Sequence, residues 1–278
     1  MVSTPSILPP VLEVFKLTKR FRGLLALQDV DLTLRPGIIH GVIGPNGAGK
    51  TTFFNCLTGQ TTPTLGKIVF KGQDITHMAA PAIARLGIAR TFQNIRLFGR
   101  LSVLDNVRVA QQLRTSFSLP EVLLGLPSFR RKEQMLTDQA MAHLELFGLA
   151  DVADRPATGL PYGTQRRLEI ARALATGPQL LLLDEPAAGM NASETDALHQ
   201  MILEVQKRFS LTIILVEHDM RLVMNMCNQI TVLSYGRVLA EGVPEDIRQN
   251  AQVIESYLGT TKHKTPSSSS SAGQPAGG

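Results

Sequence analysis

The 278-residue chain lacks the features that mark secreted, membrane-spanning or metal-binding proteins. No apolar run is long enough to span a membrane, and the opening Met-Val-Ser-Thr-Pro-Ser has neither the charged nor the apolar region of a signal peptide. Only two cysteines are present, Cys56 and Cys227, and their separation fits no metal-binding motif. We therefore expect a cytosolic protein in which both thiols are reduced and buried.

Charge and aromatic content also argue against a nucleic-acid partner. The formal net charge is +5, the basic residues are dispersed, and aromatic residues make up 5% of the chain. Because neither a basic patch nor a surface of stacking aromatics is evident, we expect no binding of nucleic acid. Hydrophobic residues make up 44% of the chain, which at this length predicts one or two domains with a large core.

A glycine-rich segment carries the most specific signal in the sequence. It reads Gly-Pro-Asn-Gly-Ala-Gly-Lys-Thr-Thr and follows a short apolar run at residues 38–43, which predicts a buried strand. Residues 53–58 can begin a helix, so that backbone N–H groups and the positive end of the helix face an anion. We therefore predict a phosphate-binding loop rather than a turn without a ligand, with Lys50 on the outer phosphates and Thr51 on Mg²⁺. The phosphate-binding residues are Gly44, Pro45, Asn46, Gly47, Ala48, Gly49, Lys50, Thr51 and Thr52.

The rest of the chain has the pattern of an α/β core with a helical insertion. Apolar runs at residues 180–183 and 211–216 predict central parallel strands that are buried on both faces. Between residues 94 and 160 the pattern becomes helical, with runs at 103–112 and 132–147. We predict that this segment is inserted into the core.

Two local predictions concern the connections between these elements. Alternating apolar residues at 11–15 and 27–34 predict two strands, and the polar residues 18–23 between them predict a turn. Residues 116–120 predict a loop that separates the two helical runs of the insertion.

Polar side chains follow two of the predicted parallel strands. Asp184 and Glu185 come after the run at 180–183, and His218 comes after the run at 211–216. Because open parallel sheets bind ligands beyond the carboxyl ends of their strands, we expect these groups near the phosphate loop. There Asp184 would hold Mg²⁺ through water, Glu185 would act as the general base or orient the attacking water, and His218 would bond the γ-phosphate. We prefer these roles to a helix cap for the acidic pair and to a structural role for the histidine.

Two other side chains have alternative interpretations that the residues alone leave open. Phe21 precedes a strand within a polar turn, where it can either stack on a base or anchor the core. Gln93 follows an apolar segment, where it can either reach Mg²⁺ and the attacking water or lie on the surface.

Taken together and in order, these motifs resemble the nucleotide-binding subunit of an ABC transporter. The phosphate loop, Gln93, residues 160–172, residues 180–185 and His218 follow the order of that family. The resemblance implies a RecA-like P-loop NTPase core of the ABC ATPase type, with an antiparallel β subdomain and an inserted α-helical subdomain.

The same resemblance implies a division of the chain. One nucleotide-binding domain would cover residues 11–258, with its core at 11–93 and 164–258 and the helical subdomain at about 94–163. Residues 1–10 would form a loose N-terminus, and the Ser-, Gly- and Pro-rich residues 260–278 a disordered tail.

Residue roles follow from the resemblance as expectations. Phe21 would be the aromatic that stacks on adenine, and Gln93 would lie in the Q-loop that senses both the nucleotide and the membrane partner. Residues 188–191 would form the D-loop. The catalytic residues would be Lys50, Gln93, Glu185 and His218, and the Mg²⁺ ligands Thr51, Gln93 and Asp184.

The signature loop of the family departs from its usual Leu-Ser-Gly-Gly-Gln. Its positions here are Leu160, Pro161, Tyr162, Gly163 and Thr164. Gly163 would contact the γ-phosphate of ATP bound to the opposite subunit. Pro161 replaces the usual serine and removes one expected hydrogen bond, so backbone N–H groups and the helix dipole would carry the contact. Asn191 replaces the usual aspartate of the D-loop.

Within the family, several stretches resemble the ATP-binding subunit of branched-chain amino acid importers, at residues 54–59, 90–98, around 127–131, 165–172, 184–189 and 253–259. The resemblance implies binding and hydrolysis of ATP with Mg²⁺ and closure of a homodimer, or of a heterodimer with a related ATP-binding subunit. It also implies transmembrane permease subunits, a substrate-binding protein that acts indirectly, and a peripheral location on the cytoplasmic face of the inner (plasma) membrane.

Other members of the family provide the alternatives. Urea or amide importers and lipopolysaccharide exporters share much of this pattern, although the long helical insertion argues against the exporter. Soluble ABC ATPases that act on ribosomes or DNA usually carry two cassettes or a long coiled coil, and neither is present here. A nucleotide sensor that does not hydrolyse ATP would be distinguished by an ATPase assay.

Overall fold

The structure is a computed structural model and describes residues 8–115, 119–124 and 126–258. In that part of the chain, strands form two sheets, and helices pack against them. The strands are β1 (Leu12–Phe21), β2 (Leu24–Leu34), β3 (Ile39–Ile43), β4 (Leu65–Phe70), β5 (Gln73–Asp74), β6 (Ile88–Arg90), β7 (Leu180–Asp184), β8 (Thr212–Val216), β9 (Gln229–Ser234) and β10 (Arg237–Gly242). The α-helices are α1 (Lys50–Leu57), α2 (Ala80–Leu86), α3 (Val103–Gln111), α4 (Leu119–Leu123), α5 (Pro127–Leu146), α6 (Tyr162–Ala175), α7 (Ala192–Phe209), α8 (Met220–Met226), α9 (Pro244–Gln249) and α10 (Ala251–Leu258).

The larger sheet has the strand order β10-β9-β3-β8-β7-β6 and is parallel except for β10. Every residue of β3, β7 and β8 is buried, as expected of apolar strands that are covered on both faces. Asp184 at the end of β7 is paired with Val216 at the end of β8. The carboxyl ends of these strands therefore lie together at one edge of the sheet, where ligands of such sheets bind.

The smaller sheet is antiparallel, with the order β2-β1-β4-β5. Helix α1 joins the two sheets through its buried residues, which include Phe53 and Phe54. These rings share one apolar cluster with Leu12 of the smaller sheet and Leu182 of the larger sheet. The start of α1 is consequently held by both sheets, which fixes the loop that precedes it.

The segment between β6 and β7 is helical and packs on the other side of the larger sheet. Val107 of α3, Leu144 of α5 and Leu168 of α6 are fully buried and belong to the cluster that also contains Leu183 of β7. Among the described helices, none combines the length and the apolar composition needed to cross a membrane.

The predicted α/β class, with an antiparallel sheet and an inserted helical segment, is confirmed. Both cysteines are free and buried, as predicted. Burial raises the pKa of Cys56 to about 11 and that of Cys227 to about 12, so neither thiol ionises readily.

Two sequence-based predictions about local structure are wrong, and one helix begins earlier than its predicted run. Residues 18–23 were predicted to be a turn, but residues 18–21 continue β1 and only residues 22–23 form the turn, because shifts in the pairing register of β1 with β2 admit these residues into the sheet. Helix α5 contains the predicted run at 132–147 but already begins at Pro127, because proline suits a first helical turn. The predicted loop at 116–120 is a helix from Leu119 onward.

Two short helices were not predicted, and some predictions concern residues that the structure does not describe. Helices α8 and α9 were not predicted, since six or seven residues give too short a periodic pattern. The predictions for the first seven residues, for residues 116–118 and for the tail from residue 259 lie outside the described residues.

Candidate nucleotide-binding site

The glycine-rich loop connects the end of β3 to the start of α1, as the sequence predicts. Gly44 and Gly49 have φ angles of 152° and 106°. A Cβ atom at Gly44 would overlap the carbonyl oxygen of Leu233, and one at Gly49 would lie 2.7 Å from the carbonyl oxygen of Ala26. Only glycine fits at these two positions, and the loop is closely packed between neighbouring strands.

Lys50, the first residue of α1, folds back over this loop. Its Nζ donates to the carbonyl oxygens of Gly44 at 2.6 Å and Pro45 at 3.1 Å. Burial lowers the pKa of Lys50, whereas the charges of Glu185 and Asp184 act in the opposite direction. The first N–H groups of a helix have no acceptor within the helix, so the start of α1 and the ammonium group form a cationic cradle for phosphate.

Asp184, at the end of β7, is buried and forms an ion pair with Arg90. The Arg90 Nη2 atom lies 2.8 Å from Asp184 Oδ2, and Nη1 donates to Asn55 Oδ1 at 2.6 Å. The guanidinium group lies between the rings of Phe54 and Phe92, 5.3 and 5.4 Å from their centroids. Arg90 therefore balances the negative charge of Asp184 at the edge of the sheet. The sequence did not identify Arg90 as a site residue.

Glu185 and Gln93 meet in the cleft beside the phosphate loop. Gln93 Nε2 donates to Glu185 Oε2 at 3.0 Å, and both residues line a cleft of about 440 Å³ together with Lys50 and Thr51. Glu185 has a φ of 46°, which is uncommon for a residue other than glycine. Its backbone N–H donates to the carbonyl oxygen of Val216 at 2.9 Å and anchors this conformation.

The turn between β9 and β10 also contributes to this cleft, which sequence reasoning did not anticipate. Tyr235 lines the cleft and is 91% exposed, and the N–H of Gly236 donates to the carbonyl oxygen of Ala48 at 3.0 Å. In the sequence, the pair Tyr235-Gly236 indicates only a turn. Its role in supporting the phosphate loop depends on strand order, which the sequence does not specify.

His218 does not line the phosphate-loop cleft. It borders a neighbouring cleft with residues 187–190 and is largely exposed. The buried carboxylate of Glu217 accepts hydrogen bonds from the backbone N–H groups of Ala187 at 3.2 Å and His218 at 3.3 Å. Burial raises the pKa of Glu217, while these two N–H groups lower it. Glu217 thus ties the loop after β7 to the loop after β8; an acidic residue directly after an apolar strand was its only signal in the sequence.

Phe21 is not a core anchor. It is 44% exposed at the end of β1, and the Nζ atom of Lys19 lies 4.8 Å from its ring centroid. Leu24 and Leu25, across the same hairpin, line the phosphate-loop cleft. The ring therefore belongs to the surface of the hairpin that borders the cleft.

The predicted signature residues lie at the start of α6, apart from the phosphate loop. Pro161 caps the helix, Tyr162 is 44% exposed, and Leu160 and Gly163 are buried. Within the described part of the chain, the residues that line the phosphate-loop cleft do not include positions 160–164. The phosphate loop and the predicted signature loop therefore lie at separate places in the chain.

The strand, glycine-rich loop and helix, with acidic residues at the end of the adjacent strand, define a P-loop nucleotide-binding protein. A family model described as ABC transporter matches residues 27–188, and another, described as branched-chain amino acid ATP-binding cassette transporter, matches residues 237–263. The chain belongs to the ATP-binding subunits of the ABC transporter family.

Relatives and solved structures agree with this assignment. The chain is 49% identical to the high-affinity branched-chain amino acid transport ATP-binding protein LivG of Escherichia coli K12, covering 90% of this chain and 98% of LivG. It is 47% identical to BraF of Pseudomonas aeruginosa, covering 90% and 98%, and 32% identical to the lipopolysaccharide export protein LptB of Haemophilus influenzae, covering 90% and 97%. The ADP conformation of the ATP-binding cassette MJ1267 has a TM-score of 0.77 and 29% identity, covering 90% of this chain and 99% of that one.

Proposed function

We propose that this chain is the ATP-hydrolysing subunit of an importer for branched-chain amino acids. The observation that supports hydrolysis most directly is the meeting of Lys50, Gln93 and Glu185 in one cleft beside the phosphate loop. The proposed cargo is based on LivG and BraF, which are more similar to this chain than LptB is.

The residues of the cleft suit the hydrolysis of a nucleoside triphosphate. The loop N–H groups and Lys50 would bind the phosphates, and Glu185 would take the proton of the attacking water. Thr51 and Gln93 line the cleft and offer oxygen ligands of the kind that Mg²⁺ prefers, and Asp184, whose Oδ2 is paired with Arg90, would hold the ion through water. The ion would neutralise charge on the phosphates. Phe21 would stack on the adenine from the edge of the hairpin.

Because the phosphate loop and the predicted signature loop lie apart in one chain, we propose that two ATP-binding subunits pair head to tail. Residues 160–164 of one subunit would then meet the ATP held by the phosphate loop of the other, and His218 would bond its γ-phosphate as the two close. The second subunit is either a copy of this chain or a related ATP-binding subunit.

Transmembrane permease subunits would bind in a groove next to Gln93. The groove has a volume of about 250 Å³ and lies between α2, β6 and α6, with Phe92, Arg90 and Arg172 among its lining residues. Since Phe92 directly precedes Gln93, a segment bound there would be sensed at the nucleotide. The chain would lie on the cytoplasmic face of the membrane, residues 94–163 would act as a helical subdomain, and the substrate-binding protein would act only through the permease.

The test of hydrolysis is Glu185→Gln in the full chain, purified with its transporter partners. The variant should still bind ATP and accumulate as a closed dimer, while its turnover should fall by about 10²–10⁴-fold, because the general base is lost. Turnover at the wild-type rate would remove Glu185 from the reaction. Asn94→Ala, next to Gln93 on the chain, is the matched control.

The cargo is tested by uptake into proteoliposomes that contain the assembled transporter. We expect ATP-dependent uptake of leucine, isoleucine and valine, with loss of uptake in Glu185→Gln. Uptake of urea alone, or stimulation of ATP hydrolysis by lipopolysaccharide alone, would assign the chain to the alternative cargo classes.

A further inference from the structure

One buried side chain connects three segments of the nucleotide site. Arg166 in α6 is fully buried, and its guanidinium group donates from Nη1 to the carbonyl oxygen of Phe92 at 2.6 Å and from Nη2 to that of Gln93 at 2.8 Å. A buried arginine is costly unless its charge and its N–H groups are matched. The carbonyl oxygens of Phe92 and Gln93 therefore provide two of the acceptors that this buried guanidinium group requires.

Glu169, one turn further along α6, supplies the opposite charge, while Arg166 Nε has no hydrogen-bond partner among the described residues. Its Oε2 accepts from Arg166 Nη1 at 2.9 Å, and its Oε1 accepts from the backbone N–H of Phe92 at 3.2 Å. Both side chains are at most 1% exposed. Phe92 therefore has its N–H and its carbonyl oxygen bound by two side chains of the same helix.

The same guanidinium group reaches the predicted signature loop. Arg166 Nη2 donates to the Tyr162 hydroxyl at 3.1 Å. The Tyr162 ring packs on the loop after β7, with Cε1 3.2 Å from the place that a Cβ of Gly189 would occupy. Arg166 and Tyr162 thus link the backbone at Gln93 to the loop that follows Glu185.

We propose that Arg166 is a positioning residue for hydrolysis. It fixes the backbone of Gln93, so that the Gln93 side chain reaches Glu185. Its hydrogen bond to the Tyr162 hydroxyl fixes the start of α6 relative to the same backbone. Glu169 aligns the guanidinium group for this purpose. The start of α6 and the backbone at Gln93 consequently move together when the site closes. This inference rests on the proposed function, because its effect is measured on ATP hydrolysis.

The test is a double-mutant cycle that combines Arg166→Lys with Gln93→Ala in the full chain, purified with its transporter partners. Lysine keeps the charge but loses the planar fork that spans two carbonyl oxygens. A misplacement of about 1 Å can cost about 10²-fold in rate, so we expect Arg166→Lys to lower kcat about 10-fold or more while the KM for ATP changes less than about twofold. In the Gln93→Ala background, the same substitution should change kcat less than about twofold, because the side chain it positions is absent.

Arg108→Lys is the matched control. Arg108, in the helical segment between β6 and β7, pairs with Asp105 at 3.2 Å and with Glu133 at 3.3 Å, and it does not line the phosphate-loop cleft, so its substitution should leave kcat near the wild-type value. Equal effects of Arg166→Lys in both backgrounds, or a loss confined to KM, would overturn the proposal. If Arg166→Lys does not fold by circular dichroism, Glu169→Gln replaces it in the cycle with the same expected non-additivity. Absence of hydrolysis in the wild-type transporter would instead contradict the proposed function itself.

Discussion

The ion pair between Arg90 and Asp184 makes the stability of the fold depend on the charge at the candidate Mg²⁺ site. Both side chains are 6% exposed, and their atoms approach to 2.8 Å. The substitution Arg90→Met removes the cation but leaves an apolar chain between the rings of Phe54 and Phe92. The carboxylate of Asp184 then stays buried without its partner.

The expected loss is large. Removal of one member of a buried ion pair costs about 3–5 kcal/mol in the free energy of unfolding. The unfolding free energy of a domain is typically about 5–15 kcal/mol, so the variant should fold but with much lower stability. Asp184→Asn in the same background should recover part of the loss, giving a coupling energy of about 1–3 kcal/mol.

The assay is urea unfolding without nucleotide, followed by far-UV circular dichroism for the wild type, both single variants and the double variant. Arg221→Met is the matched control, because Arg221 also pairs with an aspartate, at 3.3 Å, but is 84% exposed. An exposed ion pair contributes less than about 1 kcal/mol to the free energy of unfolding. If Arg90→Met lost no more stability than Arg221→Met, or if the Arg90 and Asp184 substitutions were additive, the reasoning would be refuted.

Two further predictions concern stability away from the cleft. His40 is fully buried, and burial lowers its pKa from 6.5 to about 4, so its contribution to stability is present above pH 6.5 and is lost as pH falls towards the folded pKa. In urea unfolding, the unfolding free energy of the wild type should fall by about 2 kcal/mol more than that of His40→Gln between about pH 7.5 and about pH 5. The same pH dependence in both proteins would contradict this prediction. Asn191 caps α7 by accepting the backbone N–H of Glu194 at 2.9 Å. Asn191→Ala should therefore lower the unfolding free energy by about 1 kcal/mol, whereas Asn191→Asp should not.

The central part of the fold could be predicted because its signals are local. The apolar runs that became β7 and β8 are buried along their whole length, and the glycine-rich loop lies between a strand and a helix as the motif requires. The two short helices α8 and α9 could not be predicted, because six or seven residues do not establish a period. Polar residues 18–21 were misassigned because a bulged strand has no simple alternation.

The candidate site could be predicted only in its sequence-local parts. Lys50, Gln93 and Glu185 meet as the order of the motifs indicates. Arg90 and Arg166 could not be assigned, because their partners are 94 and 73 residues away and are brought near only by the sheet and the packing of α6. For Arg166, the available signal was a glutamate three residues further along the same predicted helix.

The measurement that tests the central claim most directly is the ATPase rate per chain over a wide range of protein concentrations. It should be made on this chain alone and with any ATP-binding subunit that co-purifies with it. If a second subunit completes each nucleotide site, the rate per chain falls on dilution as the pair dissociates. A rate per chain that stays constant down to concentrations at which the protein is monomeric would contradict the account.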